Sequence, residues 1–250
     1  MPRSAIGARI RERRPHLRTP PDAARRHIHS IGMSASQFAV GPDGSTPAAL
    51  AAPVRSPDMQ GTLAVTGDDV ADHLVNTDPL ALLLGMLLDQ QIPMEWAFMG
   101  PYTLRKRMGG TLDAAAIASM EPDGFIALVK GPPALHRFPG SMGKRVQDCC
   151  RVIVDEYGGD AAKVWEDAAS GADLYARLRK LPGYGDDKAR IFIALLAKRF
   201  GVRPGGWEAA SAPFSDSTPR SVADIDSPET LAKVREWKKA MKAQGKTKAD

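Results

Sequence analysis

Wherever the hydrophobic pattern of this chain is regular, its period is helical. The stretch DPLALLLGMLLDQQ opens at Asp78 with a carboxylate able to cap exposed amides, and Pro79 suits the first helical position. Apolar residues then fill almost every position to Leu88, and a helix apolar nearly all round belongs inside the protein. After Pro93, MEWAFMGPYTLRKRMGG predicts a second helix that stops at Gly109 and Gly110. In SMGKRVQDCCRVIVDEYGGD, Val146, Cys149, Cys150, Ile153 and Tyr157 recur at helical spacing, with Ser141 ahead of them and Gly158 and Gly159 closing the element. No alternating strand pattern survives inspection, so the expected fold class is all-α.

The stretch LRKLPGYGDDKARIFIALLAKRFG, residues 178–201, carries the sharpest local signal. Leu174, Leu178 and Leu181 make one apolar stripe, Pro182 to Gly185 interrupt it, and Ala189, Phe192, Ile193, Leu196 and Phe200 make the next. Two helices are thus expected to meet at a tight hairpin. Glycine at 183 and 185 permits backbone conformations closed to other residues and leaves amide N–H groups unshielded. Beside the positive end of the following helix, such amides form a niche for an anion.

Composition narrows the function classes. With 250 residues, 43% hydrophobic and 25% charged, the chain can bury one good core or two small lobes. No apolar run reaches the roughly 18–20 residues of a membrane span, so no membrane partner is expected. The two cysteines suit a reducing, cytoplasmic setting, and they exclude a four-thiolate iron–sulfur cluster or zinc site made by this chain alone. Cofactors are accordingly expected to be none, and with only His73 and His136 in the body, at no paired ligand spacing, no metal site is expected.

The net charge of +5 is unevenly distributed: residues 1–58 carry +5, residues 59–230 carry −5 and residues 231–250 carry +5. Any contact with nucleic acid must therefore come from local patches or the ends. Residues 1–58 show no periodicity and are expected to be a disordered basic extension. Their Arg-rich start is open to two other readings, a transit peptide or an upstream start with Met33 or Met59 as the true first residue. The basic end, KVREWKKAMKAQGKTKAD, is amphipathic, and either lies along DNA or is a solvated charged terminus.

On these residues the chain resembles the HhH-GPD superfamily of base-excision DNA glycosylases. LPGYGDDKA looks like its helix-hairpin-helix signature, and LLLGMLLDQQIPMEWA is similar to the early helix whose end carries a glutamine near the lesion. FPGSMGKRVQDCCRVIVDEYGGD is similar to the helix before the hairpin, and AKRFGVRPGGWE occupies the segment after it. The resemblance spans roughly residues 78–210 and places an HhH-GPD-like helical domain at 59–230, followed by a basic C-terminal helix or tail at 231–250. It implies two helical lobes around a cleft, with double-stranded DNA as the partner of a monomeric protein. A phosphate would be held by amides at Gly183, Tyr184 and Gly185 near Lys188, and a damaged base would be turned out of the duplex into a pocket.

Carried over residue by residue, Gln91 matches the glutamine that fills the gap left by an extruded base, or else is a helix-end residue bonding nearby carbonyls. Bifunctional members place a lysine two residues after the second hairpin glycine, where this chain has Asp187. Lys188 follows it, rotated about 100° around the helix, and is expected to point elsewhere. A monofunctional glycosylase without lyase activity is therefore implied. The superfamily's catalytic aspartate is also absent from its place, where Glu208 stands in RPGGWEAA, with Asp216 and Asp224 as alternatives. Asp186 and Asp187 compete electrostatically with a phosphate at the same amides or are ordinary first-turn residues. Trp96, Phe98, Tyr102, Phe138 and Trp207 are candidate stacking surface, most of them expected in the core. The alternative reading is a non-catalytic hairpin protein that keeps the phosphate grip and has lost the acid. The least favoured is a helical scaffold that binds protein.

Overall fold

One helix that is apolar nearly all round and a second with a buried apolar middle occupy the centre, and the others cover them. A computed structural model describes residues 59–247, all within one unit running from Ala49 to Asp250. The expected extension at 1–58 and the last three residues lie outside the described residues. In chain order the helices are α1 (Asp69–Thr77), α2 (Pro79–Leu88), α3 (Met94–Arg107), α4 (Ala114–Ser119), α5 (Pro122–Lys130) and α6 (Pro139–Tyr157). They continue as α7 (Lys163–Glu166), α8 (Gly171–Lys180), α9 (Asp186–Arg199), α10 (Trp207–Ser211) and α11 (Pro228–Ala243), with a 3-10 turn at Val222–Asp224 before the last. The fold is all-helical, and no strand occurs among the described residues.

α2 forms where the sequence predicts it. The Asp78 carboxylate accepts from the amides of Leu80 and Ala81, Pro79 takes the first helical position, and every residue from Leu80 to Leu88 is buried. α9 is its counterpart, buried continuously from Ile191 to Ala197. Each fully buried Leu, Ile or Phe on these helices contributes about 1.5–3 kcal/mol relative to exposure. α3 and α1 pack on α2, α4 and α5 pack on α6, α8 and α10 pack on α9, and α2 touches both α6 and α9. Cys149 and Cys150 are free and fully buried on α6, where burial pushes the Cys149 thiol up to about 12.

Differences from the sequence expectation arise where elements are short or their ends are set by tertiary contacts. α6 begins at Pro139, so Ser141 lies inside its first turn and donates its hydroxyl to the Phe138 carbonyl. α4, α5, α7 and α10 have four to nine residues, too few for a periodic pattern to stand out. α11 starts three residues before residue 231, where Ser227 and Thr230 form a capping box.

Candidate nucleic-acid interface

α8 ends at Lys180 with Leu181 as its C-cap, a turn covers residues 182–185, and α9 starts at Asp186 with Gly185 as its N-cap. The two glycines have different roles. Gly183 has φ of +90°, which favours glycine, whereas Gly185 has φ of −79° and ψ of 180°, extended backbone open to any residue. Within the turn, the Tyr184 amide donates to the Leu181 carbonyl at 3.0 Å. The amides of Gly183, Gly185, Asp186 and Asp187 have no acceptor among the described residues. Four donors, three of them at the positive end of a fourteen-residue helix, are thus unused by the chain.

Three ties spanning about a hundred residues of sequence hold this hairpin against the end of α2. The buried Tyr184 hydroxyl donates to the Leu83 carbonyl at 2.8 Å, and Lys188 Nζ donates to the Leu87 carbonyl at 2.6 Å. The Gly183 backbone rests on Leu87, whose Cγ would lie 3.4 Å from an added Cβ. Arg179 braces the turn from α8 by donating to the Tyr184 carbonyl at 2.8 Å.

Beside the hairpin lies a cleft of about 680 Å³. One wall is residues 183–188 with Ile191, the other is Met86, Asp89 and Gln90, and Arg145 of α6 closes it. Gln90, and not Gln91, is the glutamine at the cleft. Arg145 donates to Gln90 Oε1 at 2.8 Å, and His136 holds the Gln90 carbonyl at 2.8 Å. The Phe138 amide donates to His136 Nδ1 at 3.0 Å, so the ring proton sits on Nε2 and is donated to Gln90. His136 is 1% exposed, and burial above all, with the Lys188 and Arg145 charges, holds its basicity below the ordinary imidazole value despite the Gln90 bond. Gln91 is exposed, has φ of 59°, and lies outside the cleft lining.

Lys188 also departs from expectation, because it lines the cleft beside Asp187. Its long stem reaches back to α2, which a helical wheel of α9 alone does not contain. The carboxylates of the cleft are Asp89, Asp186 and Asp187. Asp186 is engaged by the Tyr175 hydroxyl, Arg190 and Arg179, which together hold its carboxyl below the ordinary carboxylate value, the Tyr175 bond most strongly. Asp89 is half-buried at the end of α2, and Asp187 is exposed in the first turn of α9.

None of the acids matched to the superfamily's aspartate lines this cleft. Glu208 is exposed on α10. Asp216 pairs with Arg220 at 2.7 Å and accepts from Thr218, and Asp224 pairs with Lys198 at 2.7 Å while capping the 3-10 turn through Ser221. Of the aromatic candidates, Phe98 is fully buried, Tyr102 and Trp207 pack partly buried against the core, and Trp96 and Phe138 are 39% and 46% exposed. None of the five lines the cleft.

Among the described residues no group of three metal-capable side chains is assembled, and no helix is long and apolar enough to cross a membrane. No family model matches the chain, and no curated protein matches it.

Proposed function

We propose that this chain is a DNA-repair protein of the HhH-GPD type, a monofunctional glycosylase that grips duplex DNA by a phosphate at the 182–188 hairpin. An extruded base would enter the adjoining cleft. The observation that carries this reading is the conjunction of unused hairpin amides with an adjoining cleft, roomy enough to admit a base, whose opposite wall presents Gln90, clamped by Arg145 and His136. Amides at a helix start recognise phosphate without reading sequence, and a cleft of this volume is in the range of small-molecule sites.

Base release breaks the C1′–N bond, the base departs with the bonding electrons, and a carboxylate stabilises the cationic sugar while water adds at C1′ and its surplus proton passes to the departing base, leaving free base and abasic sugar. Asp89 and Asp187 stand in the cleft where Glu208, Asp216 and Asp224 do not. Asp89, half-buried and next to the clamped Gln90, is assigned this role. The two-lobed superfamily arrangement, with the cleft between lobes, belongs to the same reading.

Purified protein incubated with duplexes carrying a panel of modified bases, then treated with alkali, tests it. Release by wild type that falls at least about tenfold in Asp89→Asn, with Glu208→Gln unchanged, supports it. A second reading, a binding protein without chemistry, is favoured by the displacement of all three matched acids from the cleft. Duplex binding with no release across the panel would establish that reading instead.

A further inference from the structure

We propose that Gln90 and Arg145 select the extruded base by polarity, so that the cleft takes bases presenting a ring carbonyl and rejects those presenting an exocyclic amino group at the same place. The inference rests on the glycosylase reading above and names its substrate class. Arg145 reaches across the cleft. Its Cδ would lie 3.7 Å from a Cβ added at Gly183 on the hairpin, and its Nη1 donates to Gln90 Oε1 at 2.8 Å on the opposite wall. A guanidinium has N–H donors and no acceptor, so the oxygen end of the Gln90 amide is the end turned to it. The main chain of residue 90 is committed as well, since its N–H donates to the Leu88 carbonyl at 2.6 Å and its C=O accepts from His136 at 2.8 Å.

What remains at this wall is hydrogen-bond donors. Gln90 Nε2 has no acceptor among the described residues, and neither do Nε and Nη2 of Arg145. The second lone pair of Oε1 is a poor acceptor for an amino group, whose partly positive hydrogens would approach the guanidinium cation with it. Turning the amide over would set Nε2–H against a guanidinium N–H and leave both without a partner. The cleft's acceptors are placed elsewhere: Asp89 is assigned to the sugar, Asp186 is engaged by Tyr175, Arg190 and Arg179, and Asp187 stands on the hairpin wall. A carbonyl oxygen supplies the acceptor that Gln90 and Arg145 lack. An amino group there faces donor with donor, and sites built on hydrogen bonds discriminate strongly against such an analogue. Carbonyl-bearing bases of this kind arise when an amino base is deaminated or a ring carbon is oxidised.

The test is single-turnover base release by the full chain from duplexes that differ only in this group. Hypoxanthine is set against adenine, and 5-hydroxyuracil against 5-hydroxycytosine, each opposite guanine and again opposite adenine. Bases differ in intrinsic leaving ability, so the readout is the carbonyl-to-amino rate ratio of a variant relative to that of wild type. Gln90→Glu keeps the Arg145 contact and the size of the side chain but turns a second oxygen to the cleft, and should lower the ratio at least about tenfold. Arg145→Met frees the amide to present either end and should lower the ratio too, whereas a role in folding alone would lower both rates together. Wild-type release with a ratio unchanged in Gln90→Glu refutes the selection by polarity and leaves the glycosylase reading standing. So does a preference that follows the opposite base instead of the extruded one, which would assign Gln90 to the gap in the stack. Wild type that releases other modified bases but neither carbonyl member refutes this inference alone, and release of no base from any duplex overturns both.

Discussion

The two hairpin glycines should respond unequally to the same methyl group. At Gly183 an added Cβ would meet Leu87 Cγ at 3.4 Å and Arg145 Cδ at 3.7 Å, ordinary contacts, so space does not forbid alanine. The backbone does, because φ is +90° and a left-handed conformation costs an L-residue about 1–2 kcal/mol. For a chain of this size each kcal/mol moves Tm by about 2–4 °C, so Gly183→Ala should melt about 2–8 °C lower. At Gly185, φ is −79° and nothing lies within 4 Å of the added atom. Alanine there restricts the unfolded chain, a gain of about 0.4–1 kcal/mol, and replaces glycine at an N-cap, a loss of similar size. The net change should stay within about 0.5 kcal/mol. Thermal and urea unfolding of the two single variants measure the contrast. Equal destabilisation, or a larger loss at Gly185, would refute the assignment of the left-handed backbone to Gly183 and of extended backbone to Gly185.

Tyr184→Phe removes the donor to the Leu83 carbonyl but keeps the ring edge-on to Phe192, so unfolding should show a loss of about 0.5–1.5 kcal/mol. His136 is held neutral below the ordinary value of 6.5, so the unfolded chain takes up the proton first. Stability should fall as pH drops below that value, and pH-dependent melts of His136→Gln should lack this component. Asp226, held low chiefly by Arg199, contributes stability that is complete above the ordinary carboxylate value of 3.8 and lost as pH falls through its lower folded value. Acid melts of Asp226→Asn should be flatter in that window. Borohydride should trap no protein–DNA adduct despite Lys188 in the cleft, since its amine is donated to the Leu87 carbonyl; a trapped band lost in Lys188→Met would reverse that.

What the sequence by itself determined are the features that depend on neighbours within about one helical turn. Asp78 with Pro79 starts α2, and Pro182 to Gly185 break α8 from α9, because caps and turns are satisfied by atoms a few residues away. The apolar run of α2 announced its burial for the same local reason, whereas the sequence showed α9 only as a one-sided stripe and the packing buries it from Ile191 to Ala197. The candidate site was legible only as a hairpin and a nearby glutamine. Which glutamine faces the cleft depends on the left-handed turn at Gln91 and on Arg145, 55 residues beyond Gln90. Lys188 enters the cleft because the end of α2 packs beneath it, a contact 101 residues distant in sequence. Glu208, Asp216 and Asp224 are placed by the path of the chain after α9, where ion pairs with Lys198 and Arg220 engage two of them. Spacing along one helix fixes direction around that helix alone, and only the packing of α2, α6 and α9 against one another decided which side chains share a cavity.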